Sequence, residues 1–373
     1  MRVLIDARGL LEELKAGVEG YTWQMVSHLQ RMYPDDKYIL FSYSWNRQPS
    51  DEQKRLVEWI HHRWPNLVMT VSWPWFGYPR VDDVVTNVDV VWVPNVRFMP
   101  TTDRVVRVAT VHDLSFEAMP SCFSYKRRLW HWHMQIKRNL ERMDRIVVVS
   151  ENTKQDLVNY YEIYEEKIKT IYSGINLTRP ADLSADVPAK YGLDKYILSI
   201  GTIEPRKNLS GLIKAYRYYL DYLGGNLPLV LVGGQGWDHE IRLLVRKLNL
   251  QNWVKFLGFI SEDDKFALVS GAEILAFVSF YEGFGFPPLE AMMRGVPVLA
   301  SHGGSLGEVL QDGVLMSDPL DTVAMASGLQ QLDRNGDLRQ KLIWRGMKVV
   351  EKYNWINAAI NFRGELAKLV AVG

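Results

Sequence analysis

Residues 281–301 read Tyr281-Glu-Gly-Phe-Gly-Phe-Pro-Pro-Leu-Glu-Ala-Met-Met-Arg-Gly-Val-Pro-Val-Leu-Ala-Ser301. The apolar run Ile274–Phe280 ahead of them reads as a buried strand. Gly283 and Gly285 permit a tight turn and close approach of backbone to a ligand. Pro287 and Pro288 suit a helix start, where a missing N–H costs little. Leu289, Ala291, Met292 and Met293 continue the helix, Gly295 ends it before Pro297, and Val296–Ala300 is the next strand. The loop therefore lies at the carboxyl end of a strand, where open α/β sheets bind ligands. Two prolines remove two donors, so the free amides lie around Gly285, Phe286, Leu289 and Glu290, an arrangement suited to phosphate. Two carboxylates bracket them, Glu282 in the loop and Glu290 in the first helical turn. An acid in a first turn also suits the helix dipole. The dipole does not account for the pair with Gly-Phe-Gly between them.

Working outward, other strand ends carry polar residues. Tyr196–Ile200 reads as a strand, followed by Gly201-Thr-Ile-Glu-Pro-Arg-Lys-Asn208 and a helix with Leu212, Ile213 and Tyr216 on its core face. Arg206 and Lys207 there can neutralise a diphosphate, the one as a planar fork and the other as a point charge. Both sit in a polar loop, so their removal is expected to spare the fold. Val105–Val111 is a strand with His112-Asp113 at its carboxyl end; the histidine either faces a ligand or caps the strand. Gly17-Val-Glu-Gly-Tyr21 opens a helix after the first strand, Met1–Asp6, as a weak candidate phosphate nest. Gly258-Phe259-Ile260 follows a strand at Val254–Leu257.

Glu282 to Glu290 resembles the E-x7-E motif of the retaining, nucleotide-sugar-dependent glycosyltransferases of family GT4. The resemblance implies the GT-B fold, an α/β architecture of two doubly wound Rossmann-like domains facing across a cleft. It also implies roles. Glu282 contacts donor-sugar hydroxyls and Glu290 the ribose hydroxyls. Gly201 to Asn208 resembles the G-x-x-x-x-x-K-N segment, so Arg206 and Lys207 stabilise the leaving diphosphate together with the helix amides at Gly285 to Glu290, and Gly201, Gly283, Phe284, Gly285 and Phe286 are expected to line the donor. Val-His112-Asp-Leu-Ser-Phe resembles the family's HDL segment, whose histidine contacts donor sugar or acceptor. The Gly17 loop faces the donor, and the nucleobase lies near Gly258, Phe259 and Ile260. Gly303-Gly304-Ser-Leu-Gly-Glu308 departs from the family pattern, which is shorter there. Retention of configuration is implied by the resemblance, and with no obvious covalent nucleophile the working mechanism is front-face attack with phosphate as base. Trp92-Val-Pro-Asn95, the His112 segment and Ser150-Glu-Asn-Thr-Lys-Gln-Asp-Leu157 look most like mannosyltransferase-type members. GDP-mannose is thus the expected donor, with a UDP-sugar second, and a lipid-linked or growing glycan the expected acceptor. No DxD motif stands at a strand end of the second domain, and neither a bound metal nor a further cofactor is expected. Two other readings stay open: a non-catalytic sugar-nucleotide or glycan-binding protein of the same fold, and a sugar-nucleotide epimerase.

Composition agrees with this frame. A chain of 373 residues is long enough for two cores, expected as domains 1–177 and 178–355, with residues 356–373 a helix crossing back to the first; the linker is Thr178–Pro188. A formal net charge of +1 gives no argument for nucleic acid. The single Cys122 excludes an internal disulfide and fits a reducing, cytoplasmic compartment. No apolar run is long enough to span a bilayer. The expected helix Ser124–Met143 interleaves Lys126, Arg127, Arg128, Lys137, Arg138 and Arg142 with Tyr125, Trp130 and Trp132. Such a helix either contacts an anionic membrane peripherally or has a solvated basic face and an aromatic core face.

Overall fold

The computed structural model describes residues 1–11, 17–175, 187–234 and 237–372. The linker Thr178–Pro188 falls almost entirely outside them, as do Gln235 and Gly236 of the loop after the second strand of the second sheet. Two compact units are present: Met1–Gly174 with Asn354–Gly373, and Ile175–Tyr353.

The first unit is built on seven parallel strands: β1 (Arg2–Asp6), β2 (Lys37–Tyr43), β3 (Glu58–His62), β4 (Val90–Val93), β5 (Val106–Val111), β6 (Arg145–Val148) and β7 (Ile168–Thr170), in the order β3-β2-β1-β4-β5-β6-β7. Val3, Leu4, Ile5, Val90, Trp92, Val108 and Val148 are wholly buried, as expected of a parallel sheet covered on both faces. Chain-terminal residues complete this unit. The helix Trp355–Val372 packs on the helix Val18–Met32, Phe362 meets Trp92 at 4.5 Å, and Arg363 pairs with Asp36 at 3.1 Å.

One helix is shorter than its cap suggests, and one sequence expectation changes. The helix that Ser50 opens stops early. Ser50 and Gln53 form the reciprocal cap, but the helix ends at Leu56 and Glu58–His62 joins β2 as a parallel edge strand. Tertiary pairing overrides local preference there, favoured by Val57, Trp59 and Ile60. The helix expected over Ser124–Met143 is two helices, Tyr125–His133 and Ile136–Glu141, separated by Gln135 in the left-handed region at φ 50°. The break turns Met134, Ile136, Leu140 and Met143 into the core and leaves Tyr125, Leu129 and Trp132 exposed.

The second unit has six parallel strands: β8 (Ile197–Ile200), β9 (Leu229–Val232), β10 (Val254–Gly258), β11 (Ile274–Phe277), β12 (Val298–Ser301) and β13 (Leu315–Ser317), in the order β10-β9-β8-β11-β12-β13. From β8 the chain builds outward to β10, then returns past β8 to build the other half. The loops after β8 and β11 therefore leave neighbouring strands in opposite directions, which opens the crevice where doubly wound sheets bind ligands. The first of these loops carries Arg206 and Lys207, and the second carries Glu282.

Candidate active site

The loop after β8 is a short 3-10 turn, Pro205–Lys207, closed by Asn208 in a left-handed conformation at φ 54°. Asn208 is buried, and its amide nitrogen donates to Val278 O at 3.2 Å and Pro319 O at 2.6 Å. This ties the cationic loop to the chain following β11. Phe280 N adds a bond to Arg206 O at 2.8 Å.

Glu282 is the centre of the cluster. Lys207 Nζ donates to one carboxylate oxygen at 2.6 Å, and Arg206 Nη1 to the other at 2.8 Å. Arg206 also donates to Tyr281 O at 2.8 Å and, through Nη2 and Nε, to Glu204 at 2.7 and 3.1 Å. Glu282 is 7% exposed. Burial pushes its pKa up, but Lys207 and then Arg206 outweigh burial and hold the carboxyl down at about 2. Glu282 is thus ionised at neutral pH and able to accept hydrogen bonds. Two cations face two carboxylates, so the cluster is neutral by itself. The expectation that Arg206 and Lys207 are dispensable to the fold is corrected by this geometry: both side chains are 14% exposed, and removing either leaves a buried carboxylate short of a partner.

The glycine pair after β12 explains the backbone of Glu282. Gly304, at φ 62°, forms an isolated parallel bridge with Glu282, and Ser305 donates to Glu282 O from its N–H at 2.9 Å and its hydroxyl at 3.0 Å. A Cβ at Gly304 would stand 2.4 Å from Glu282 O. Gly304→Ala is expected to cost at least roughly 1–3 kcal/mol, measured by urea unfolding; an unchanged midpoint would show that the bridge is dispensable. A second expectation concerns acid. Glu282 has a pKa near 2 in the folded chain against 4.5 ordinarily, so its contribution is complete above about pH 4.5 and is lost as pH falls towards 2. Glu282→Gln should flatten that part of an acid-unfolding curve, and an unaltered curve would contradict the assignment.

The helix Phe286–Met293 starts from Gly285 at φ 100°, with prolines in its first turn. Glu290 lies on it. One carboxylate oxygen of Glu290 accepts from Lys265 at 3.4 Å, while the other is buried without a partner. A buried, unpaired carboxylate oxygen is costly, and a ligand hydroxyl would satisfy it. Gly283 and Phe284 are buried, with Phe284 packed against Phe286 and Tyr353 at 5.1 and 5.4 Å; that packing fixes the loop. Gly201 closes β8 beside Lys207, and Gly258 O accepts from Gly233 N at 2.9 Å at the end of β10. Phe259, 63% exposed, and the half-buried Ile260 follow it.

Two candidate residues belong to the first unit. Gly17, at φ 61°, opens the helix Val18–Met32. His112 follows β5, and its Nε2–H donates to Pro94 O at 2.9 Å, which fixes the proton on Nε2 because a carbonyl only accepts. Tyr21 packs edge-on to the ring at 4.7 Å. Burial lowers the His112 pKa more than the Pro94 bond and Asp113 raise it, so the ring is neutral at pH 7. Asp113 caps Ser115 through its N–H and hydroxyl at 2.9 and 2.7 Å. Sequence reasoning passed over Glu204, Asn208, Lys265 and Gly304 as members of the site. An acid two residues before Arg206 was a usable signal for Glu204; nothing local marks Lys265.

This fold is that of two-domain nucleotide-sugar glycosyltransferases. Sucrose-phosphate synthase from Thermosynechococcus elongatus superposes with a TM-score of 0.78 at 20% identity, covering 100% of both chains. The lipopolysaccharide-biosynthesis glycosyltransferase WaaG gives 0.73 at 16% identity over 100% of both chains, and Anabaena Alr3699/HepE in complex with UDP-glucose gives 0.73 at 17% over 100% of both. In sequence, the Glycosyltransferase Family 4 domain matches residues 16–179 and the Glycosyl transferases group 1 domain residues 182–349. The chain belongs to glycosyltransferase family 4. Among its relatives, O-antigen chain mannosyltransferase B of Escherichia coli is 32% identical over 256 residues, 67% of each chain. O-antigen chain mannosyltransferase RfbU of Salmonella typhimurium is 29% identical over 248 residues, 66% of this chain and 65% of that protein. Against the Escherichia coli serotype-specific mannosyltransferase WbdA the match is 30% over 237 residues, 61% of this chain and 29% of that longer protein.

Proposed function

We propose that this glycosyltransferase moves mannose from GDP-mannose to a hydroxyl of a glycan acceptor, with retention at the anomeric carbon. The observation that carries the reading is the Lys207–Glu282–Arg206 cluster at the crevice between β8 and β11. The ionised Glu282 accepts hydrogen bonds from the transferred sugar's hydroxyls, Glu290 takes the ribose hydroxyls on its unpaired oxygen, and His112 contacts the sugar or the acceptor hydroxyl. Arg206 commits its donors to Glu204, Tyr281 O and Glu282. Lys207 makes one bond to Glu282 with three N–H donors to use, so it is the cation that meets the diphosphate, beside the amides that begin the helix Phe286–Met293. In the reaction the acceptor oxygen bonds to the anomeric carbon as its bond to the phosphate oxygen breaks. The hydroxyl proton passes to that departing oxygen. Charge grows on the diphosphate, where preorganised donors lower the barrier most.

A thermal-shift screen of nucleotides and nucleotide sugars tests the donor. At ligand concentrations ~100 times Kd the stabilisation is about 2.7 kcal/mol, an easily read rise in Tm. GDP and GDP-mannose should give it. A response confined to uridine compounds would replace the donor, and silence from every nucleotide would sink the reading.

Peripheral membrane contact belongs to the same proposal. The helix Tyr125–His133 exposes Tyr125 and Leu129 beside Lys126, Arg127 and Arg128, and Trp132 is 61% exposed. No helix among the described residues is long and apolar enough to cross a membrane. Reversible adsorption at roughly 1 kcal/mol per basic residue should appear as co-sedimentation with anionic liposomes that salt abolishes. Binding indifferent to lipid charge would count against it.

A further inference from the structure

The first unit contains a cavity of about 760 Å³, within the ~300–1,000 Å³ range of small-molecule sites. It lies at the carboxyl ends of β1, β2 and β4, the ligand-binding edge of such a sheet. Its walls come from the loops after those strands, the helix Asn66–Phe76 and the pair Tyr125–His133 and Ile136–Glu141. The two sides are pinned by His133, whose Nδ1 accepts from Trp75 Nε1 at 3.0 Å while Nε2 donates to Thr70 O at 2.9 Å.

The lining is chemically one-sided. Arg8, Arg47, Arg97, Arg138 and Arg142 face it, and no Asp or Glu lies among the described lining residues. Arg8 is already matched by Asp6, at 2.6 and 2.8 Å, and Arg97 stands over the Trp130 ring at 5.9 Å. Among the described residues no ion pair engages Arg47, Arg138 or Arg142. Their charge beside low-dielectric aromatic walls focuses a positive potential into the cavity. Trp73, Trp75 and Trp130 supply ring faces, on which the apolar C–H face of a sugar can rest. A neutral saccharide has no use for three unpaired guanidinium groups. A bare phosphate has none for three indoles.

We propose that this cavity binds a saccharide carrying a phosphate or diphosphate, with the sugar against the tryptophans and the phosphate held by Arg47, Arg138 and Arg142. This rests on the glycosyltransferase reading and names the chemical class of its acceptor. The rim suggests the source. Leu67 and Phe76 line the cavity yet are 80% and 77% exposed, as fits a lipid continuing from the phosphate.

Calorimetry on the full chain, in neutral detergent, with free mannobiose, mannobiose 1-phosphate and mannobiosyl farnesyl diphosphate tests the site. The phosphorylated probes should bind at least ~10-fold tighter than the free sugar, the gain expected of charge-assisted hydrogen bonds. The double variant Arg138→Ser/Arg142→Ser, at exposed positions, should erase that gain and leave free mannobiose unchanged. Tighter binding of the farnesyl probe than of the 1-phosphate assigns the ligand to a lipid carrier; equal binding keeps the site and assigns it to a soluble pool. Free mannobiose binding as tightly as the phosphorylated forms, or a variant that binds them normally, overturns the proposal. GDP-mannose titrated into the same samples separates the two readings. GDP-mannose binding without a phosphate preference removes only this site, and a phosphate preference without GDP-mannose binding removes only the donor assignment.

Discussion

Lys207→Met is expected to lower sugar transfer by on the order of 10²- to 10³-fold and to destabilise the chain by about 3–5 kcal/mol. The two effects have different origins, and a double-mutant cycle separates them. Lys207 Nζ lies 2.6 Å from a Glu282 oxygen, and that carboxylate is almost fully buried. Deleting the ammonium leaves one oxygen of that buried anion without its partner and Arg206 alone opposing the charge, whereas replacing both partners removes the charge. Lys207→Met combined with Glu282→Gln should therefore recover most of the lost stability in urea melts and none of the lost turnover. A Lys207→Met variant with near-normal turnover would remove its diphosphate role. A double variant no more stable than the single would show that packing, not charge, holds the loop.

Glu290→Ala is expected to weaken both free GDP and GDP-mannose by about 10- to 100-fold, the scale of hydrogen bonds to a charged group. The fold should survive, because Lys265 keeps Glu262 as a partner at 3.0 Å. Glu282→Gln should leave free GDP affinity close to normal and depress transfer, since Glu282 is assigned to the sugar and Glu290 to the ribose. Calorimetry with both ligands decides between them. Equal losses of GDP affinity in the two variants would show that this division between the carboxylates is wrong.

The central stretch was legible because its punctuation is local. Gly285 permits the turn, Pro287 and Pro288 sit in the first helical turn, and Gly295 follows the last, so strand, loop and helix can be read without knowing what packs on them. Where an element is decided by distant partners, local reading fails. Glu58–His62 is a strand because β2 offers an edge. The break at Gln135 carries neither glycine nor proline. The positions of Arg206 and Glu282 in adjacent loops were readable from strand ends. Their direct pairing was not, because it depends on β8 and β11 lying side by side although 73 residues lie between the end of one strand and the start of the other. The same holds for Gly304, whose purpose is visible only once it is seen against the backbone of Glu282.

The helix Trp355–Val372 has a consequence for synthesis on the ribosome. It buries Ala358, Ala359, Phe362 and Leu366 in the first unit, yet it is translated after all of Ile175–Tyr353. At ~5–20 residues per second, the nascent first unit waits roughly 10–40 s for the piece that covers Trp92. Through that interval the face of its sheet around Trp92 lacks the helix that covers it. The unit begun first is thereby the one completed last.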